Sequence, residues 1–281
     1  MNSRAKVLVT AEELAGLLGR PGDRPAVLDV RWRLDQPDGR PAYLAGHIPG
    51  AVYVSLDDDL SDHAISGRGR HPLPSGAAVQ AAARRWGVGQ GQPVVVYDDW
   101  NRAGSARAWW VLTAAGLADV RILDGGLAAW AAAGGELDSG EVNPVTGDVT
   151  VDHADLYAGA RPTLSADEVA GGAAATLLDA RAPERFRGDV EPVDAVAGHI
   201  PGARNLPSTS VLRADGTFLG SAEIAARLTG LDAPVGVYCG SGVTASVVLA
   251  ALGAAGLEAA LFPGSWSQWS SEANRAVARG D

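Results

Sequence analysis

The chain has 281 residues, 47% hydrophobic and 20% charged, with a formal net charge of −10 and a pI near 4.9. An acidic surface repels phosphate backbones, so nucleic acid is not an expected partner, and no run of about 18 apolar residues marks a membrane span. Lys6 is the only lysine and Cys239 the only cysteine, which leaves little room for Schiff-base chemistry, excludes an internal disulfide and fits a reducing cytoplasm.

From the N-terminus, Glu12 and Glu13 interrupt an apolar run too short for a signal peptide. Thr10 and Glu13 form a capping box ahead of a helical pattern. "AVLDVR" (26–31) and "PVVVYD" (93–98) read as buried strands, with "AGHIPGA" (45–51) between them. "SARAWWVLTAAG" (105–116) reads as a helix, and "DGGLAAW" (124–130) closes the first set. Residues 139–162 lack sustained periodicity and read as a linker holding at most one short strand.

The same landmarks then return in order. Ser165 and Glu168 form a second capping box, followed by "TLLDAR" (176–181), "AGHIPGA" (197–203), "PVGVYC" (234–239), "TASVVLAALGAAG" (244–256) and a close at Trp269. The offset shrinks from 152 (His199 minus His47) to 141 (Cys239 minus Asp98) and 139 (Trp269 minus Trp130), which places shorter loops in the second half. Strands alternating with helices argue for an α/β fold with mainly parallel sheets. The expectation is two tandem domains, 1–138 and 163–281, joined by 139–162.

Ligands of parallel sheets sit at the carboxyl ends of the strands, and Cys239 falls at such an end. In "CGSGVT" (239–244), Gly240 and Gly242 permit a curled backbone that aims N–H groups at one spot. The helix that follows adds its positive end. Both favour a thiolate. The first half carries Asp98 at the matching position, so packing does not demand a thiol, and that half reads as non-catalytic. Ala245 stands six residues after Cys239, where a cysteine phosphatase carries the arginine that clamps phosphate. Disulfide exchange through C-x-x-C lacks its second cysteine. Sulfur transfer through a persulfide needs only one. The five histidines (47, 63, 71, 153 and 199) lack metal-ligand spacing, so no metal or cofactor is expected.

The paired "GHIPGA" boxes, the "DAR" strand end, the "CGSGVT" loop and "PGSWSQW" resemble the tandem-domain rhodaneses over nearly the whole chain, and the loop is most similar to 3-mercaptopyruvate sulfurtransferases. The resemblance implies two rhodanese-like domains with the active Cys239 in the second. It implies a persulfide loop of Gly240, Ser241, Gly242, Val243 and Thr244, with Ser241 delivering a proton to the departing pyruvate enolate. Arg185 of "ERF" matches the family's substrate-binding arginine, with Arg187 beside it. The family's second arginine, in an "EP-x-R" segment, is replaced here by Val193; Arg187, or Arg70 from the first half, is expected to compensate. His47, oriented by Asp38, maps to a histidine proposed to act with the loop serine, although a residue shared by both "GHIPGA" boxes reads more readily as architectural. Trp109, Trp110 and Trp130 are expected in the core or between the halves, and Trp266 and Trp269 along the pocket.

The implied activity moves sulfur from 3-mercaptopyruvate to cyanide or to a thiol such as thioredoxin or a small thiol. The alternatives are a thiosulfate sulfurtransferase, for which two basic residues would be expected after the cysteine, and a non-catalytic sulfur-binding or redox scaffold.

Overall fold

The computed structural model describes residues 3–20, 22 and 24–281. Helix α1 (Ser3–Val7) leads into strand β1 (Leu8–Val9), and α2 (Ala11–Leu18) begins at Thr10, whose capping box with Glu13 is formed. Strand β2 (Ala26–Asp29), α3 (Arg40–Ala45), β3 (Val52–Tyr53), α4 (Leu56–Asp59) and α5 (Gly76–Arg85) follow. Then come β4 (Val94–Tyr97), α6 (Ala103–Ala114), β5 (Val120–Leu123) and α7 (Gly126–Ala132). The five strands form one parallel sheet in the order β1-β5-β4-β2-β3.

The second half repeats the plan. Helix α8 (Ala166–Ala170) starts at the Ser165–Glu168 capping box. Next are β6 (Thr176–Asp179), α9 (Pro183–Arg187), β7 (Arg204–Asn205), α10 (Ser221–Arg227), β8 (Val235–Tyr238), α11 (Ala245–Ala254), β9 (Ala260–Leu261) and α12 (Ser265–Trp269). The sheet order is β7-β6-β8-β9, again parallel, and Thr163 bridges Leu261 in the place that β1 holds in the first sheet. Residues 139–162 contain a single 3-10 turn, Leu156–Ala158, and an isolated bridge from Asp155 to Ser75, rather than a strand.

The repeated motifs have one structural task. Asp29 and Arg31 form a buried ion pair, and Arg31 also donates to the Gly46 carbonyl, while the Tyr97 hydroxyl accepts the Ile48 N–H. Asp179, Arg181, Gly198, Tyr238 and Ile200 repeat this clamp. Each strand end thus fixes its own "GHIPGA" loop. A buried pair of this kind costs stability if one partner is lost, because the other charge stays desolvated.

Helices α6 and α11 are buried on nearly every side. Each lies on its own sheet and packs against the other. Trp109, Trp110, Val247, Val248 and Leu252 belong to one apolar cluster that spans both halves, and α1 reaches across to α11. Arg4 ties the same seam, donating to the carbonyls of Phe218 and Leu219 and to Asp124.

Candidate active site

Cys239 follows β8 directly, at the strand's carboxyl end, and is 1% exposed. Its sulfur accepts the Gly242 N–H at 3.2 Å, and its own N–H donates to Ser265 Oγ at 3.1 Å. The Trp266 and Ser267 amides hold the carbonyls of Cys239 and Gly240, so α12 supports the loop from outside. Gly242 has φ +80°, and a Cβ there would lie 2.6 Å from the Pro263 carbonyl oxygen. Only glycine fits. Helix α11 starts directly behind the loop, its positive end towards the thiol.

The first half shows what such a loop does with an anion. The carboxylate of Asp98 accepts the N–H groups of Trp100, Arg102 and Ser105 and the Ser105 hydroxyl, and pairs with Arg102 at 2.8 Å. The residues matching Trp100 and Arg102 are Ser241 and Val243. The first loop therefore grips its own carboxylate; in the second, Ser241 and Val243 line a cavity.

That cavity, about 300 Å³, is lined by Cys239, Gly240, Ser241, Val243 and Thr244 and by residues of both halves. Trp32, Leu34, Trp100 and Arg70 come from the first half; Arg181, Arg185 and Thr209 come from the second. Two guanidinium groups flank Gly240: a Cβ there would lie 3.1 Å from Arg70 and 3.7 Å from Arg185. Arg185 pairs with Glu191 at 2.6 Å and Arg70 with Asp194. Hydrogen bonds from Arg185 and loop amides draw Glu191 below its ordinary value against the opposing effect of burial. Burial instead raises Asp194, although Arg70 pulls it the other way. Three cations (Arg70, Arg181, Arg185) thus meet three carboxylates (Asp179, Glu191, Asp194).

Ser241 Oγ lies 2.8 Å from Nδ1 of His71, whose Nε2 is 3.3 Å from Asp57. His71 sits in the loop between α4 and α5, edge-on to Trp32. Burial, followed by the nearby charges of Arg107, His63 and Arg70, lowers His71 to about 3, so the ring is neutral at physiological pH. Burial also holds Asp57 above its ordinary value. For Nδ1 to accept from the Ser241 hydroxyl, the neutral ring must carry its proton on Nε2, the nitrogen nearest Asp57.

The structure brings together Cys239, Gly240, Ser241, Val243, Thr244 and Arg185, with Arg70 as the second cation beside them. Val193 is exposed, and Arg70 pairs with its neighbour Asp194. Arg187 pairs instead with Asp189 at 2.8 Å and does not line the cavity. His47 is fully buried elsewhere, stacked on Tyr43, with Nδ1 3.0 Å from the Tyr43 carbonyl. His199 repeats this on Phe186. Asp38 accepts from the Arg40 amide, not from His47. Trp266 and Trp269 lie in a separate cluster of the second half; Trp32 and Trp100 wall the cavity in their place. Sequence reasoning missed His71 and Asp57. The available signal was the adjacency of His71 to Arg70 in "GRGRHPLP".

The family model "Rhodanese-like domain" matches residues 10–133 and 164–272. The SseB protein of Mycobacterium tuberculosis, named for thiosulfate sulfurtransferase activity, is 66% identical over 100% of this chain and 99% of its own length. A Pseudomonas aeruginosa protein named for 3-mercaptopyruvate sulfurtransferase activity is 46% identical over 98% of each chain. The solved 3-mercaptopyruvate sulfurtransferase from Leishmania major superposes with a TM-score of 0.81 at 33% identity, covering 95% of this chain and 75% of that one.

Proposed function

This chain belongs to the rhodanese family and is a sulfurtransferase, and from that premise we propose that Cys239 carries the sulfur and that the preferred donor is 3-mercaptopyruvate. Residues 163–281 then form the catalytic domain and residues 1–138 the supporting one, joined by 139–162.

The observation that carries the donor assignment is the 2.8 Å contact between Ser241 and neutral His71. Sulfite leaves thiosulfate as a stable anion and needs no proton. Pyruvate leaves as an enolate and does. The Cys239 thiolate attacks the donor sulfur; the S–S bond forms, the C–S bond breaks, and the electron pair departs with carbon. The donor's thiol proton is the one that pyruvate's methyl group gains, so the step is balanced without an outside acid. Ser241 takes that proton as it passes its own to Nδ1, and the pair run in reverse delivers it to carbon. Burial disfavours the imidazolium, so the proton does not stay on His71.

Charge supports the same donor. Gly240 and Ser241 are neutral, and the flanking arginines are already matched by carboxylates, which suits one substrate carboxylate held by Arg185 and Arg70 better than a dianion. The Ser241 and Val243 amides, counterparts of those on Asp98, receive the outer sulfur of the persulfide. Cyanide or a thiol, such as thioredoxin or a small thiol, then attacks that sulfur and restores the Cys239 thiolate. Such traffic gives ping-pong kinetics. A lone catalytic thiol fits a reducing cytoplasm, and no helix among the described residues is long and apolar enough to cross a membrane.

The name of the 66% identical relative favours a second reading, thiosulfate as donor. Measuring kcat/KM for both donors with cyanide as acceptor decides between them. A higher value for 3-mercaptopyruvate is expected; a clear preference for thiosulfate rejects the assignment.

A further inference from the structure

Among the described residues four arginines are buried: Arg31, Arg102, Arg107 and Arg181. Three of them face a buried aspartate, respectively Asp29, Asp98 and Asp179. Arg107, on α6, is 0% exposed, and none of the described residues offers it a carboxylate within ion-pair distance. Its guanidinium donates only to carbonyls: Leu60 at 3.0 Å, His71 at 3.0 Å and Gly242 at 3.5 Å. A cation taken out of water without a counter-ion is costly, and neutral carbonyls offset only part of that.

Its position suggests the missing partner. The peptide group whose carbonyl Arg107 caps, Gly242–Val243, carries the Val243 N–H. That amide is the counterpart of the Arg102 N–H that donates to Asp98 in the first half. The preceding peptide gives its Gly242 N–H to the Cys239 sulfur. At the duplicated position, offset by 141, the second half has Val248, so the arginine is no part of the shared scaffold. It stands in the half without the cysteine and points into the loop that has it.

We propose that Arg107 is a positioning residue whose buried charge holds the Cys239 loop in its anion-binding state, the reacting sulfur being its counter-ion as thiolate and as persulfide. Through the His71 carbonyl it also seats the ring that faces Ser241. This proposal rests on the reading of Cys239 as sulfur carrier. Burial brings Arg107 down to about 10, so it remains a cation at neutral pH. The other ionisable groups about the loop are Arg70, Arg181 and Arg185, the carboxylates Asp179, Glu191 and Asp194 behind them, and His71 with Asp57 and His63.

The test is the pH profile of iodoacetamide alkylation of the full-length protein, in which Cys239 is the only thiol, compared among wild type, R107Q and R107K. Glutamine can still donate to a carbonyl but has no charge; lysine keeps the charge and loses the fork. The expected result is a midpoint about one pH unit higher in R107Q, hence about tenfold slower alkylation at neutral pH, with R107K close to wild type. Superimposable wild-type and R107Q profiles overturn the proposal. So does a shift in folded R107K as large as that expected of R107Q, a comparison that stands even if R107Q does not fold. Sulfur loading of wild-type Cys239 is scored separately. Its failure sinks the carrier reading itself, whereas loading with unmoved profiles sinks only the role of Arg107.

Discussion

On the proposed proton path, Ser241 is the residue that separates the two donor chemistries. In Ser241→Ala the proton path to the pyruvate enolate is cut while the loop backbone and both flanking arginines stay. Turnover with 3-mercaptopyruvate is expected to fall about 10²-fold, and thiosulfate turnover to change by less than about threefold. Steady-state assays of both donors check this, and equal losses would remove Ser241 from the proton path. His71 adds a pH signature. Its folded value lies near 3 against an ordinary 6.5. The unfolded chain therefore binds a proton that the native ring refuses between about pH 6.5 and 3, and stability falls as pH drops through that window. Denaturant melts at pH 7 and 4.5 should show His71→Gln losing less stability on acidification than wild type. At this scale Cys239 was legible in the sequence, being a lone thiol at a strand end, and so was Arg185. His71 was not, because its partners Asp57 and Ser241 lie on other segments and no spacing links the three. His47 stood out through a motif whose work, shared with His199, is to seat a loop.

At the scale of elements, the cysteine loop and its twin show how one backbone serves two ends. The first closes on Asp98 with three amides; the second gives the Gly242 amide to sulfur and lines a cavity with Ser241 and Val243. This economy depends on Gly242, where φ is +80° and the Pro263 carbonyl leaves no room for a methyl group. Gly242→Ala is expected to destabilise the protein by about 1–3 kcal/mol and to lower sulfur transfer more than Ser241→Ala does, since the loop itself shifts. Thermal melts with activity assays check both, and an unperturbed, active variant would contradict the loop's role. The central strands β2, β4, β6 and β8, both capping boxes and the near-uniformly apolar α11 could be read from sequence because local pattern dictates them, whereas the short flanking strands β1, β3, β5, β7 and β9 carried no such pattern. The linker holds no strand: its amides bond to carbonyls of scattered first-half residues, among them Leu44, Arg84, Val88 and Ala115, and its one bridge joins Asp155 to Ser75.

Over the whole molecule, the two halves are one packed body. The α6–α11 seam buries Trp109 and Trp110 among residues of both halves, and the cavity is walled from both sides. Duplication was plain in the sequence, yet it gave no hint of what the half without the cysteine does. The structure shows that half supplying His71, Asp57, Arg70 and Arg107 around a cysteine it does not contain. These contacts span 124 to 170 residues of chain and leave no periodic trace. Sulfur transfer by this protein, as proposed, requires that sulfur reach Cys239. Mass spectrometry of the intact protein and its Cys239 peptide, after one equivalent of 3-mercaptopyruvate without acceptor, should find one added sulfur atom on that residue and one pyruvate released, both reversed by cyanide. Pyruvate released with Cys239 unmodified, or no pyruvate at all, would contradict it.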